Sequence, residues 1–202
     1  MKRVAIVIAS QHGQTAKIAK TIQGELDLNG ILSDVIQPDK PFGSYEGAII
    51  ASPIYIGKFN PEIVEWTKAN AAKLNLVRTA FFSVSLNAAD KRAAAKSANE
   101  KLLKEFLETT GLRADFLSSV AGALHYTKYG WLKRWLLKRI SAANGGPTDT
   151  SRDHELTDWA QVRAFANAFV QGDTTSPFAH CDRPDSTGVL GQVARLDTLS
   201  NS

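Results

Sequence analysis

The stretch Val4-Ala5-Ile6-Val7-Ile8-Ala9-Ser10-Gln11-His12-Gly13-Gln14-Thr15 sets an unbroken apolar run against a short polar turn, and a helical pattern begins near its end. Six consecutive apolar residues bounded by a turn read as a strand buried on both faces. The start of a helix presents N–H groups without intrahelical partners and a partial positive charge. A polar turn between such a strand and such a helix is therefore a natural anion site. Ser10, Gln11, His12 and Thr15 add side-chain donors, and Gly13, ahead of Gln14, lets the backbone close in on a ligand. The turn reads as a phosphate cradle.

Outward from that turn, β-rich apolar runs alternate with helical patterns. The first strand spans Arg3–Ala9. The first helix runs from about Gln14 to Asn29, with Ile18, Ile22 and Leu26 on one face and Asn29-Gly30 as its stop. Ser33–Ile36 is a short strand. Gln37–Tyr45 is a loop or short helix, broken by Pro38, Pro41 and Gly43. Gly47–Ala51 is a third strand, and Asn60-Pro61 starts a helix through about Lys73. Thr79–Ser85 is a fourth strand. Lys91–Thr110 is a long helix with Leu102, Leu103, Phe106 and Leu107 as its stripe, closed by Gly111. Phe116–Ala121 is a fifth strand, and Thr157 caps a last helix from Asp158 to about Gln171. This alternation predicts a doubly wound, five-stranded parallel sheet with helices on both faces. Such sheets bind ligands beyond the carboxyl ends of their strands. The segments there are Ser10–Thr15, Ser52–Lys58, Ser83–Ala88 and Gly122 onward.

The 202 residues, 44% of them hydrophobic, suit one domain, expected over residues 1–171 with an insertion at about 124–155. The tail, 172–202, is polar, lacks an apolar stripe and is expected to be disordered. The single cysteine, Cys181, allows neither a disulfide framework nor a cysteine metal cluster, so no metal site is expected. No apolar run approaches the roughly 20 residues of a membrane span, and Val4–Ala9 is too short for a signal peptide. These features point to the cytoplasm.

Net charge is +4, and its distribution is uneven: Phe116–Thr148 contains no acidic residue but holds Lys128, Lys133, Arg134, Lys138 and Arg139. A basic field of this kind favours an anionic partner. On a helical projection of Trp131–Ile140, Trp131, Leu132, Trp135, Leu136 and Ile140 share one half-circle, while Lys133, Arg134 and Lys138 take the other. Arg139 intrudes on the apolar side and Leu137 on the basic side. The segment suits an anionic membrane surface, or else packs its Trp face on its own domain.

The phosphate turn lacks the Gly-Lys-Ser/Thr of a P-loop and the Gly-x-Gly-x-x-Gly of a dinucleotide site. It also lacks Lys and Arg, and neutral donors with a helix dipole fit the phosphate monoester of FMN. Ser52, Pro53, Ile54, Tyr55 and Gly57 form a second loop with an aromatic at the height of a planar ring. Ser83, Val84, Ser85, Leu86 and Asn87 offer polar backbone opposite, so an isoalloxazine would slot between the two. Tyr55 either stacks on that ring or covers the sheet edge.

Ser-x-His-Gly-Gln-Thr resembles the flavodoxin phosphate loop, with His12 where flavodoxins usually carry Thr. The chain more closely resembles the menaquinone-dependent protoporphyrinogen oxidases of bacteria, over about residues 3–171. The matching pieces include Gly13-Gln14-Thr15, Ala51-Ser52 with Tyr55 and Gly57, and Phe82-Ser83-Val84. They continue with Ala121-Gly122-Ala123-Leu124, Tyr126, Tyr129, Trp131, Gly145-Gly146 with Thr148-Asp149-Thr150, and Thr157-Asp158-Trp159. The resemblance implies FMN, with Gly122 and Asp149 among its contacts. It further implies oxidation of protoporphyrinogen IX in haem synthesis and electron delivery to menaquinone or another quinone. Tyr126, Trp131, Lys133, Arg134, Trp135, Lys138 and Arg139 would then meet the substrate or the inner face of the cell membrane. His125 is a candidate proton acceptor. A flavodoxin-like electron carrier is the first alternative, against which the basic charge argues. An FMN-dependent quinone or NAD(P)H reductase shares the fold. A non-enzymatic binder of lipid or nucleic acid is the third alternative, but no nucleic-acid motif accompanies the basic segment, so no nucleic-acid partner is expected. The oligomeric state stays open.

Overall fold

Alternation along the strands divides the apolar residues between two layers. Val4, Ile6 and Ile8 of β1 (Arg3–Ile8) face one side of the sheet, and Ala5 and Val7 the other. The computed structural model describes residues 1–9, 13–124 and 154–180. Within it, β1, β2 (Leu32–Ile36), β3 (Gly47–Tyr55), β5 (Arg78–Ser85) and β6 (Phe116–Ala121) form a parallel sheet in the order β2-β1-β3-β5-β6. The expected five-stranded sheet is present. One small addition extends it, as β4 (Lys58–Phe59) folds back antiparallel on β3, while β7 (Ala123–Leu124) and β8 (His154–Glu155) pair as a separate two-stranded antiparallel sheet.

Helices α1 (Gln14–Leu28) and α4 (Trp159–Gln171) cover one face, where Ile18, Ile22, Leu26, Phe165 and Phe169 pack on the Val4–Ile6–Ile8 side. Helices α2 (Pro61–Leu74) and α3 (Ala93–Thr110) cover the other. There Phe81 and Phe106 stack at 3.8 Å between ring centroids, nearly coplanar at 8°. Burying each such ring contributes about 1.5–3 kcal/mol. Leu103 and Phe106 are buried as the stripe of α3 requires, while Leu102 and Leu107 are half-buried. Among the described residues no helix is long and apolar enough to cross a membrane.

The helix starts follow side-chain chemistry, with one correction. Asn60 caps α2, accepting from the N–H groups of Glu62 and Ile63, as expected. For α4 the cap is Asp158 and not Thr157: the Asp158 carboxylate accepts from Ala160 and Gln161 N–H at 2.9 and 3.0 Å. Thr157 lies underneath, buried, and donates its hydroxyl to the Ala121 carbonyl at 2.8 Å. Strand β3 also runs four residues past the expected end at Ala51, because Ser52 and Pro53 keep their parallel register with Ser83 and Val84.

The start of the tail departs from the expectation of disorder. Residues 172–180 turn back onto the outer edge of β6, where Leu117 N–H donates to Phe178 O and His180 N–H to Asp115 O, both at 2.8 Å. Phe178 packs edge-on against Phe165 at 5.6 Å. A parallel edge strand offers unpaired N–H and C=O groups, and the returning chain takes them up. Residues 181–202, with Cys181, lie outside the described residues.

Candidate functional site

The carboxyl ends of β1, β3 and β5 lie side by side in the sheet order, and the expected ligand loops start from them. After β1, α1 begins at Gln14 with Gly13 at its N-cap, at φ 117° and ψ −170°. That φ lies in the region only glycine adopts readily, which is why the turn carries one there. The first helical bond returns from Lys17 N–H to Gly13 O at 3.2 Å, so the earlier N–H groups point along the axis towards the turn. Thr15 is buried in this first turn. Gln14 is buried too, and both its N–H groups are committed: Nε2 donates to Glu155 Oε1 and, at 2.7 Å, to Thr157 Oγ1. Lys17 Nζ lies 3.7 Å from Glu155 Oε2. Ser10, Gln11 and His12 lie outside the described residues.

The second segment differs in shape from an open loop. Ser52 is fully buried, accepts from Asn60 N–H and donates to Pro53 O, both at 3.1 Å. Pro53 is buried and Ile54 half-buried within β3. The chain then reverses in a two-residue turn, since Tyr55 pairs with Lys58. Ile56 and Gly57 both have positive φ, 51° and 70°, the signature of the tight hairpin turn that matches strand twist. The turn lifts Tyr55, 69% exposed, and Ile56, fully exposed, clear of the sheet.

The third segment is likewise shorter than expected. Ser83 and Val84 are sheet interior: Ser83 Oγ meets Ser119 Oγ at 3.0 Å, and Val84 joins the core. Ser85 Oγ accepts from Ala88 N–H at 3.2 Å and shapes the turn that follows. Only Leu86 and the short 3₁₀ turn Asn87–Ala89 leave the sheet. Asp90 then holds Arg92 through the backbone N–H and the guanidinium, at 2.5 Å at the closest. That pairing pulls the Asp90 carboxyl below the usual carboxylate range.

Gly122 is held at the end of β6, its N–H donating to Ser85 O at 3.0 Å and its carbonyl accepting from Leu156 at 3.2 Å. A Cβ there would lie 3.3 Å from Val84 Cγ1, a tight approach that the Val84 side chain would have to relieve by a few tenths of an ångström. His125, Tyr126, Trp131, Lys133, Arg134, Trp135, Lys138, Arg139 and Asp149 lie outside the described residues.

The structure thus brings Gly13, Thr15, Tyr55, Gly57, Leu86, Asn87 and Gly122 to one edge of the sheet, and turns Ser52, Ser83 and Val84 inwards. Sequence reasoning passed over Lys17 and Glu155, whose partners are distant in the chain. A separate cavity of about 770 Å³ lies between α3 and the outer edge of β6, lined by Asn99, Leu103, Ser119, Gln161 and Phe178 among others. It belongs to the sheet edge farther from β1.

A family model described as a flavodoxin domain matches residues 5–151. A protein of Escherichia coli (strain K12) named protoporphyrinogen IX dehydrogenase (quinone) is 32% identical over 168 residues, 81% of this chain and 92% of its own length. A protein of the same name from Leishmania major is 29% identical over 191 residues, 91% of this chain and 80% of its own. Among solved structures, a flavodoxin of Streptococcus pneumonia TIGR4 matches with a TM-score of 0.51 at 16% identity, over 84% of this chain and 99% of that one. The last is a likeness of fold.

Proposed function

This chain belongs to the flavodoxin domain family and to that of the protoporphyrinogen IX dehydrogenases (quinone), and from that premise we propose that it oxidises protoporphyrinogen IX to protoporphyrin IX in haem synthesis, with menaquinone as the electron acceptor. It binds FMN and is an oxidoreductase. The observation that carries the substrate is the 32% identity extending across 92% of the bacterial enzyme.

The residues present fit FMN. The first turn of α1 offers backbone N–H groups and the buried Thr15 beside a glycine whose φ lets the chain approach closely. These neutral donors and the helix dipole suit a phosphate dianion. Tyr55, raised by the tight turn, would cover one side of the flavin ring, and Leu86-Asn87 the other. Bound FMN supplies the two-electron redox chemistry. The chain's own part is to hold the phosphate, to place the ring at the mouth of the sheet and to keep water from it. Ser10, Gln11, His12, Gly122 and Asp149 complete the cofactor site in this reading.

The basic residues Lys133, Arg134, Lys138 and Arg139, interleaved with Trp131 and Trp135, would dock on anionic lipid at the inner face of the cell membrane, where a quinone is available. The same charges can pair with tetrapyrrole carboxylates. The test is direct. Purified FMN-loaded protein, kept anaerobic, should turn non-fluorescent protoporphyrinogen IX into fluorescent protoporphyrin when menaquinone is added. No fluorescence above the protein-free control would overturn the assignment.

A further inference from the structure

Helix α1 begins without the usual support. Its N-cap, Gly13, has no side chain to accept a hydrogen bond, and its first turn carries no acidic residue. Helices α2 and α4, by contrast, have Asn60 and Asp158 as caps. What pins the start of α1 is its own first side chain. Gln14 is 8% exposed, and its amide reaches across to Glu155 Oε1 and Thr157 Oγ1.

The chemistry of the partners fixes which way that amide points. Thr157 has already given its proton to Ala121 O, so its oxygen can only accept from Gln14. The opposite orientation would set the Gln14 carbonyl oxygen against a carboxylate. Gln14 Oε1 is therefore the end left over, buried and without a hydrogen-bond partner among the described residues, and an acceptor cannot serve a phosphate dianion. Both N–H groups are spent, so Gln14 has nothing to donate to the cofactor phosphate.

Glu155 meanwhile sits on the short strand β8, where the chain re-enters the described structure after residues 125–153. Its second oxygen lies 3.7 Å from Lys17, one turn along α1. That ion pair is half-exposed at both ends, and water screens it, so the bond to Gln14 carries most of the effect.

We propose that Glu155 is a positioning residue for the FMN phosphate: its carboxylate holds the Gln14 amide, and through it the first turn of α1, in the orientation in which the backbone N–H groups and Thr15 meet the phosphate. The inference rests on FMN binding, and not on protoporphyrinogen as substrate. It ties the phosphate turn to the return strand of the segment between β7 and β8, so the two parts of the chain share one hydrogen bond.

The test separates phosphate positioning from general structure by comparing FMN with riboflavin, which has the ring and ribityl chain but no phosphate. The full chain, stripped of flavin, is titrated with each by quenching of flavin fluorescence. Glu155→Leu and Gln14→Leu should each weaken FMN binding roughly tenfold, the scale of one charge-assisted hydrogen bond, and leave riboflavin binding within about twofold. The double variant should bind FMN no more weakly than Gln14→Leu alone, because Gln14→Leu already removes the bond that Glu155→Leu removes. Glu155→Gln keeps an acceptor oxygen and should restore FMN binding to within about twofold of the natural chain. If Glu155→Leu does not fold, Glu155→Ser, too short to reach Gln14, replaces it with the same expectations. Unchanged FMN affinity, an equal loss for riboflavin, or effects that multiply in the double variant would each overturn the proposal. Absence of protoporphyrinogen turnover leaves these ratios untouched, so the two readings fail separately.

Discussion

Ile56 holds a backbone conformation that its side chain disfavours. At φ 51° it lies in the left-handed region, where a β-branched residue crowds its own carbonyl. The turn needs positive φ at both central positions, and Asn-Gly is the pair that supplies it with least strain. Ile56→Asn should therefore raise the stability of the flavin-free protein by about 1 kcal/mol, read as a higher urea midpoint at constant slope. A lower midpoint would mean that the fully exposed Ile56 side chain has a partner that offsets the strain. None of this is legible from residues 52–58, because the strain belongs to φ and the sequence signal for a hairpin, Asn-Gly, is replaced by Ile-Gly. Tyr55, by contrast, could be placed at the carboxyl edge of the sheet from its position after an apolar run. Asp90 supports a prediction in pH. Its folded carboxyl titrates below the ordinary carboxylate range because Arg92 favours the charged form. A group depressed on folding stabilises the fold above its unfolded pKa, and that contribution is lost as pH falls through the folded value. The turn ahead of α3 should thus survive acidification to about pH 4 and loosen below it. Arg92→Met should move the Asp90 titration, followed by carboxyl NMR, upward towards its ordinary value.

The elements were readable wherever one period dominates. Gly47–Ala51 reads as a strand without a polar face, and Ile18, Ile22 and Leu26 read as one face of α1; both stand in the structure. Boundaries set by a single contact across the chain were not readable. The pair Thr157-Asp158 shows the difference. The pattern Asp158-x-x-Gln161 is the local signature of a helix start that the reading of Thr157 as cap passed over, and Asp158 caps α4. The role of Thr157 instead depends on Ala121, 36 positions away, and on Gln14, 143 positions away. The two residues should then separate by experiment. Asp158→Ala removes one cap and should cost about 1 kcal/mol of stability, with FMN affinity retained. Thr157→Val strands the Ala121 carbonyl and one N–H of Gln14, and should cost about 1–3 kcal/mol. It should also weaken FMN, since Gln14 loses one of its two acceptors. Equal effects of the two substitutions on FMN affinity would mean that α4, and not the Gln14 bridge, governs the phosphate turn.

At the scale of the whole molecule the sheet has two ends with different duties. The proposed ligand loops leave the carboxyl ends of the strands, and the returning tail grips the opposite end of β6, at Asp115, Phe116 and Leu117. That grip escaped the sequence because a single edge pairing needs no apolar periodicity: one half-buried ring, Phe178, and two backbone bonds carry it. Removing residues 172–202 should uncover Phe116 and Phe165, now 2% and 1% exposed, and return the edge of β6 to solvent. A loss of about 2–3 kcal/mol corresponds to a fall in melting temperature of roughly 5–10 °C for a chain of this size. Phe178→Ala alone should produce part of that fall. The proposed FMN site lies at the far end, so FMN affinity well below the melting temperature should not change. A ligand that binds only the folded state stabilises it by an amount set by its concentration relative to its Kd. Saturating FMN should then raise the melting temperature of the truncated chain by nearly the same increment as that of the full chain. A smaller increment after truncation would show that the tail's hold on β6 reaches the cofactor site through the strand itself, along Ser118–Ala121 to the Thr157 hydroxyl and the Gln14 bridge.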